Sequence, residues 1–340
     1  MRSLSISLLC FLFICNLSFL SPVCAEASNP STSLGISPEQ SRRANISKES
    51  IAYNNYLKGL LFDDLGEYEQ AKDAYQKAIK SDFKAWDIHY RLALDYVRLQ
   101  DFKRAEKEFR FLLESKPYNE KIRFLLALVY SYRSKYKAAV NEYHKLLQRP
   151  LLELDETDVR YSLAQLYFMQ EDLDKAEEEY KTILESNPDD SYAHFYLGYI
   201  YSESSKTDAA IKEFNQALKF DPANPLALNA LSYLYAELGE NLDQALALVQ
   251  KALELEPSNG AYLDTLGWIY FRKGDLDKAI RYLENASVMV EDAEIFEHLG
   301  DVYFKIGKSD EALKNWQRSL QIDPKRKQVR DKIRESKKNK

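Results

Sequence analysis

The chain repeats itself with a period of about 34 residues, and that period decides most of what it can fold into. Small residues recur at Gly59, Ala93, Ala127, Ala164, Gly198, Ser232, Gly267 and Gly300, at intervals of 34, 34, 37, 34, 34, 35 and 33. Three residues after each stands an aromatic: Phe62, Tyr96, Tyr130, Tyr167, Tyr201, Tyr235, Tyr270 and Tyr303. That offset puts the two on one face of a helix. A second small column, Ala71, Ala105, Ala139, Ala176, Ala210, Ala245, Ala279 and Ala312, is followed four residues later by bulk: Tyr75, Phe109, Tyr143, Tyr180, Phe214, Val249, Leu283 and Trp316. Two helices approach closely where each carries a small residue and a neighbouring large side chain fills the space beside it. Each period therefore reads as a pair of helices.

Turn signals fall where such pairs need them. Leu65-Gly66-Glu67, Lys273-Gly274-Asp275 and Ile306-Gly307-Lys308 separate the two helices, with glycine able to close the first in the left-handed conformation. Pro117, Pro188, Pro222, Pro257 and Pro324 stop the second helices. Only 10 Gly and 10 Pro against 24 Tyr and 16 Phe leave little for turn-rich β structure and much for packing helices. Near Pro150 to Asp155 three extra residues widen one junction, and Asn241 adds one residue to the sixth turn, so local distortion is expected at both.

On these residues the chain resembles the tetratricopeptide repeat family over 52–326. Gly198, Tyr201, Ala210, Phe214, Ala217 and Pro222 reproduce a full repeat signature, and Gly267, Tyr270, Gly274 and Ala279 most of another. Phe83 and Glu291 stand where the closing proline usually falls, and Lys58 where the first helix usually has Leu. The resemblance implies an all-α, right-handed superhelical solenoid of about eight repeats: 52–85, 86–119, 120–156, 157–190, 191–224, 225–259, 260–292 and 293–326.

The first 25 residues are of another kind. Arg2 gives a positive start, Leu8 to Leu20 is mostly apolar, and Val23-Cys24-Ala25 ends in a small residue, the pattern of a secretory signal peptide cut after Ala25. The apolar run is short of the ~20 residues that span a bilayer. The chain is therefore expected to be exported and periplasmic. Lipid attachment at Cys24 is the alternative, for which Val23 is a poor preceding residue. All three cysteines, Cys10, Cys15 and Cys24, lie in this segment, so the mature chain is expected to contain no disulfide and no thiolate site. Residues 26–46, beginning Glu26 and containing Asn29-Pro30-Ser31-Thr32-Ser33, read as a flexible tether.

Charge is uneven. Residues 325–340 hold nine Lys or Arg and two acidic residues; with these and Arg2 set aside, the overall net charge of −6 becomes −14 for residues 26–324. A nucleic-acid partner along the body is not expected on that ground. In the basic tail, 327–340, Val329 and Ile333 lie four apart and suit a helix that caps the last repeat. Peripheral contact with anionic lipid is the other reading of the tail.

In the implied superhelix the first helix of each pair lines the concave groove. The positions three before each small residue, and their i+4 partners, point off the packing stripe and are expected to form an exposed aromatic wall: Tyr56, Tyr90, Phe124, Tyr161, Phe195 and Tyr199. Toward the end of the chain Asn229, Tyr233, Asp264 and Trp268 occupy equivalent places on two adjacent first helices and are expected to converge as a polar hot spot. Segments 229–233 and 264–268 also resemble those of envelope tetratricopeptide adaptors of Gram-negative bacteria. The expected ligand is a protein or extended peptide of the cell envelope; a polysaccharide scaffold is the alternative. No H-E-x-x-H, phosphate-binding Gly-rich loop or G-x-S-x-G occurs, and the four His are scattered one to a repeat. Neither catalysis nor a cofactor or metal is expected.

Overall fold

The computed structural model describes residues 38–81 and 85–338, with the side chains of 48–81 and 85–336. The signal segment, the cleavage point after Ala25, Cys24, Phe83 and residues 26–37 of the expected tether lie outside the described residues. The described residues form seventeen helices and no strand, and none of these helices is long and apolar enough to cross a membrane.

The chain divides at Gln170 into two compact units. The first holds α1 (Pro38–Asp64), α2 (Tyr68–Ser81), α3 (Trp86–Arg98), α4 (Phe102–Ser115), α5 (Glu120–Tyr132), α6 (Tyr136–Leu147) and α7 (Glu156–Met169). Helix α1 begins inside the expected tether. Pro38 suits a first helical position, where its missing N–H is not needed, and no glycine follows until Gly59. The second unit holds α8 (Leu173–Ser186), α9 (Ser191–Glu203), α10 (Thr207–Phe220), α11 (Pro225–Leu238), α12 (Leu242–Leu255), α13 (Gly260–Lys273), α14 (Leu276–Met289), α15 (Ala293–Lys305), α16 (Ser309–Ile322) and α17 (Lys327–Lys338). Within each unit consecutive helices pack on one another, and in the second the first helices α9, α11, α13 and α15 also touch in sequence.

The two columns of small residues sit where the helices of a pair cross. A Cβ built on Gly59 would lie 2.3 Å from the Tyr75 ring, one on Gly198 2.8 Å from Phe214 and one on Gly267 2.7 Å from Leu283. Tyr75, Phe109, Tyr143, Phe214, Val249 and Leu283 are fully enclosed. At ~25 cal/mol per Å² of apolar surface, each such side chain supplies ~2 to 3 kcal/mol.

Every first helix ends on a residue in the left-handed conformation: Gly66, Gln100, Ser134, Glu171, Ser205, Gly239, Gly274 or Gly307. In seven of the eight turns the N–H that follows this residue donates to the carbonyl of the aromatic column, as from Asp101 to Tyr96 at 2.7 Å and from Lys135 to Tyr130 at 2.8 Å. That is the Schellman closure, and it satisfies a carbonyl the helix end would otherwise orphan. A side chain at positive φ clashes with its own backbone. Replacing Ser134 (φ 55) by glycine is therefore expected to stabilise the chain by about 0.5 to 1 kcal/mol, while valine there destabilises by more; thermal melts of the two variants check this.

Both insertions are held in place. The sixth turn uses two left-handed residues, Gly239 and Asn241. At the wider junction the Glu120 carboxylate accepts from the backbone N–H groups of Leu152, Glu153 and Leu154 at 3.0, 2.8 and 3.2 Å. Helix α17 closes the last repeat: Val329 is buried with Ala312 and Trp316, and Ile333 packs beside them. Lys332 reaches Glu297 at 2.8 Å and Asp301 at 2.6 Å, and Arg326 reaches Glu297 at 3.1 Å.

Candidate functional site

Three first helices, α11, α13 and α15, gather the polar residues of the second unit. Their starts are fixed by side-chain caps: Asn224 accepts from the Ala227 N–H at 3.0 Å, Asn259 from Ala261 at 3.0 Å and Asp292 from Glu294 at 2.7 Å. Gly239 and Gly274 close α11 and α13 in the left-handed conformation. With starts and stops so fixed, residues one period apart lie side by side on adjacent helices.

Asp264 on α13 accepts from His298 Nδ1 on α15, 34 positions on, at 2.9 Å, and both are buried. The Trp268 ring lies over the imidazole, with centroids 4.1 Å apart and planes 13° from parallel. Its Nε1 donates to Glu237 Oε1 on α11 at 2.6 Å. Tyr233 Oη, also on α11, donates across 61 residues to Glu294 Oε1 at 2.5 Å. Arg272 ties α13 back to α11 by donating to the Glu237 carbonyl at 2.9 Å.

Burial alone would push the His298 imidazole down, but the Asp264 carboxylate bonded to it, with Glu294 and Asp301 close by, raises it to about 9. At neutral pH the ring is therefore a cation held between a carboxylate and an indole face, an arrangement that adds a cation–π attraction. Burial and the Glu294 and Glu237 carboxylates hold the Tyr233 phenol far above its usual range, so it stays a donor. Among the described residues no group of His, Cys, Asp and Glu is placed to hold a metal ion.

Of the four residues expected to converge, Tyr233, Asp264 and Trp268 meet around His298. Asn229 is buried on α11 with its Oδ1 making no hydrogen bond among the described residues.

The aromatic wall differs from the expectation of an exposed strip. Phe195, Tyr233 and Trp268 are buried, and Tyr56, Tyr90, Phe124, Tyr161 and Tyr199 are half-buried. The cause is that this position also faces the large residue of the same pair. Tyr56 lies 6.0 Å from the Tyr75 ring, Phe124 5.8 Å from Tyr143 and Phe195 6.1 Å from Phe214. Tyr90 instead stacks on Trp86 at 5.4 Å, and Tyr199 sits 6.4 Å from Phe195.

Sequence reasoning missed His298, Glu237 and Glu294. A signal for His298 was available: it stands on the next first helix, one position past Glu297, the equivalent of Asp264. The other histidines bridge helices locally, His89 to Glu108 at 2.6 Å and His194 to Glu213 at 2.7 Å, each 19 residues on, and His144 to the Tyr167 hydroxyl at 3.0 Å.

Comparison with known proteins agrees with this architecture. A family model described as tetratricopeptide repeat matches residues 56–120, 124–191, 161–225, 195–262 and 228–288, and a second so described matches 293–326. Anaphase-promoting complex subunit 3 of Schizosaccharomyces pombe is 27% identical over 134 residues, which are 39% of this chain and 19% of that protein. The chain thus spans about a fifth of that relative's length. A solved tetratricopeptide repeat protein from Parabacteroides merdae is similar at a TM-score of 0.60 and 17% identity, over 74% of this chain and 98% of that one. The APC/C hetero-tetramer of Cut9 and Hcn1 contains a chain similar at a TM-score of 0.59 and 16% identity, over 79% of this chain and 52% of that one. The two solved structures share the fold, and with repeat models covering nearly all of its helical region the chain belongs to the tetratricopeptide repeat family, as an all-α solenoid of about eight repeats.

Proposed function

We propose that this protein is an exported scaffold that holds a protein or extended peptide of the cell envelope against the first helices α11, α13 and α15. One observation carries the reading. An imidazolium, three carboxylates, a phenol and an indole are gathered across three successive first helices, where crossing of the helix pairs is already secured by apolar contacts. Buried ionic groups contribute less to stability than apolar side chains of the same volume, so such a cluster suits recognition better than packing. Tyr233 and Trp268 are themselves mostly enclosed, so each offers a partner only a small contact and the affinity is expected to be no tighter than about micromolar, which fits reversible assembly.

Crosslinking in cells followed by mass spectrometry tests this. The Tyr233→Ala, Trp268→Ala double variant is expected to lose at least about tenfold of one or more captured proteins, with its helical circular dichroism retained. Tyr132→Ala, an exposed ring of the first unit, is expected to lose none. An unchanged set of captured proteins in the double variant overturns the proposal, as does polysaccharide binding with no protein captured. Export has its own measurement: the mass of the mature chain is expected to correspond to a start at Glu26, and a lipid-modified Cys24 would replace the soluble periplasmic reading with an anchored one.

A further inference from the structure

The first described helix presents an apolar stripe that its own repeat does not use. In α1 and the residue that follows it, Tyr53, Leu57, Leu61 and Leu65 recur every four positions and are 63%, 45%, 59% and 62% exposed, with Ile51 beside them at 49%. The opposite face is engaged: Ala52 is buried and Gly59 lies under the Tyr75 ring. At the other end of the chain the outer face of the last repeat is covered by α17 through Val329 and Ile333. A stack of repeats needs a polar outer face at each end, and here one end has an apolar one.

We propose that a second copy of this chain covers the stripe, with the two α1 helices packed antiparallel about a two-fold axis. The stripe is self-complementary. Setting Leu57 of one copy against Leu61 of the other brings Tyr53 against Leu65, and the same contacts recur on the far side of the axis, as an isologous interface requires. The helix dipoles agree with that direction, and one charge pair does. Exposed Lys48 and Glu49 lie toward one end of the stripe and exposed Asp64 and Glu67 toward the other, so antiparallel packing brings Lys48 within reach of the partner's acidic end and opposes the helix dipoles, while Glu49 sets a like charge beside it.

The apolar stripe supplies more than half of the area needed. The five apolar side chains offer about 500 Å² per copy, and flanking polar residues raise this toward the ~800 Å² per partner of a stable interface. On the proposed cleavage after Ala25, the residues ahead of α1 are poorly suited to the task, since between Glu26 and Ser37 only Leu34 and Ile36 are large and apolar.

Sedimentation equilibrium of the chain as purified from cells is the test. The wild type is expected to show the mass of a dimer, with a dissociation constant of about 10 μM or tighter. Leu61→Glu and, separately, Leu57→Glu are expected to weaken the dimer by about 100-fold or more, because each removes two leucines from the interface and places two charges there. Both substitutions are on the surface, so helical circular dichroism is expected to be unchanged. Val288→Glu, at an apolar side chain 82% exposed at the end of α14, is expected to leave the dimer intact. A wild type that stays monomeric at about ten times that concentration overturns the proposal. So does a Leu61→Glu chain that pairs as the wild type does, or a Val288→Glu chain that falls apart equally.

Discussion

Replacing Gly300 by alanine is expected to destabilise the second unit by about 3 kcal/mol, and to do so only while Trp316 is present. A Cβ at this position would lie 2.3 Å from Trp316 Cδ1 and 2.4 Å from its Nε1. The ring has nowhere to retreat: it is buried, its Nε1 donates to Asp301 at 2.9 Å, and Phe304 and Val329 close round it. Trp316→Ala alone is expected to cost about 4 kcal/mol through the cavity it leaves. The added methyl of Gly300→Ala then falls into that cavity, so the double variant should be about as stable as Trp316→Ala. The coupling between the sites is thus about 3 kcal/mol, measurable by guanidinium denaturation of the four chains followed by circular dichroism. Strict additivity would mean that the ring is not the obstacle.

Raising the pH from 6.5 to 9.5 is expected to weaken the second unit by a few kcal/mol, and His298→Gln is expected to remove most of that dependence. The folded chain holds the His298 proton up to about pH 9, whereas an unfolded histidine releases it near 6.5. The folded state therefore binds more protons between those values. The stability this gives is complete below pH 6.5 and is lost as the pH rises through 9. It rests on Asp264, the direct partner, and on Glu294 and Asp301 nearby. At pH 6.5 the variant should itself be weaker by about 3 to 5 kcal/mol, because Asp264 is left buried without its cation. Adding Asp264→Asn should recover part of that loss. A wild-type chain equally stable at pH 6.5 and 9.5 would show that the imidazole is not held as a cation.

The pattern of sizes along the chain was enough to place the helices, because a Gly or Ala facing a ring is a direct record of how closely two backbones approach. Gly198 with Phe214 and Gly267 with Leu283 are such records, and the structure puts each pair in contact. Val329 and Ile333 were legible as a cap for the same reason: two apolar side chains on an otherwise charged helix have one place to go. Exposure was less legible. That Phe195 points off the crossing stripe is a matter of angle, but its burial depends on how far the Phe214 ring extends toward it, and helical period does not encode that reach. His298 was harder still, since its contact with Asp264 joins neighbouring repeats and takes two residues at slightly different heights on their helices. The start of α1 at Pro38 went unseen because a short polar stretch can continue a helix without any apolar rhythm.

Gln100, Ser134, Glu171 and Ser205 close their helices with the same backbone twist as the four glycines. The sharp corner is thus imposed by the two packed helices on either side and only eased by the residue standing in it. A residue other than glycine holds that twist at a cost of about 1 to 2 kcal/mol, which the packing on either side covers. The exposed corner of each repeat can therefore carry a different side chain, within what that twist tolerates, while the columns that set the spacing of the helices stay small and large in turn.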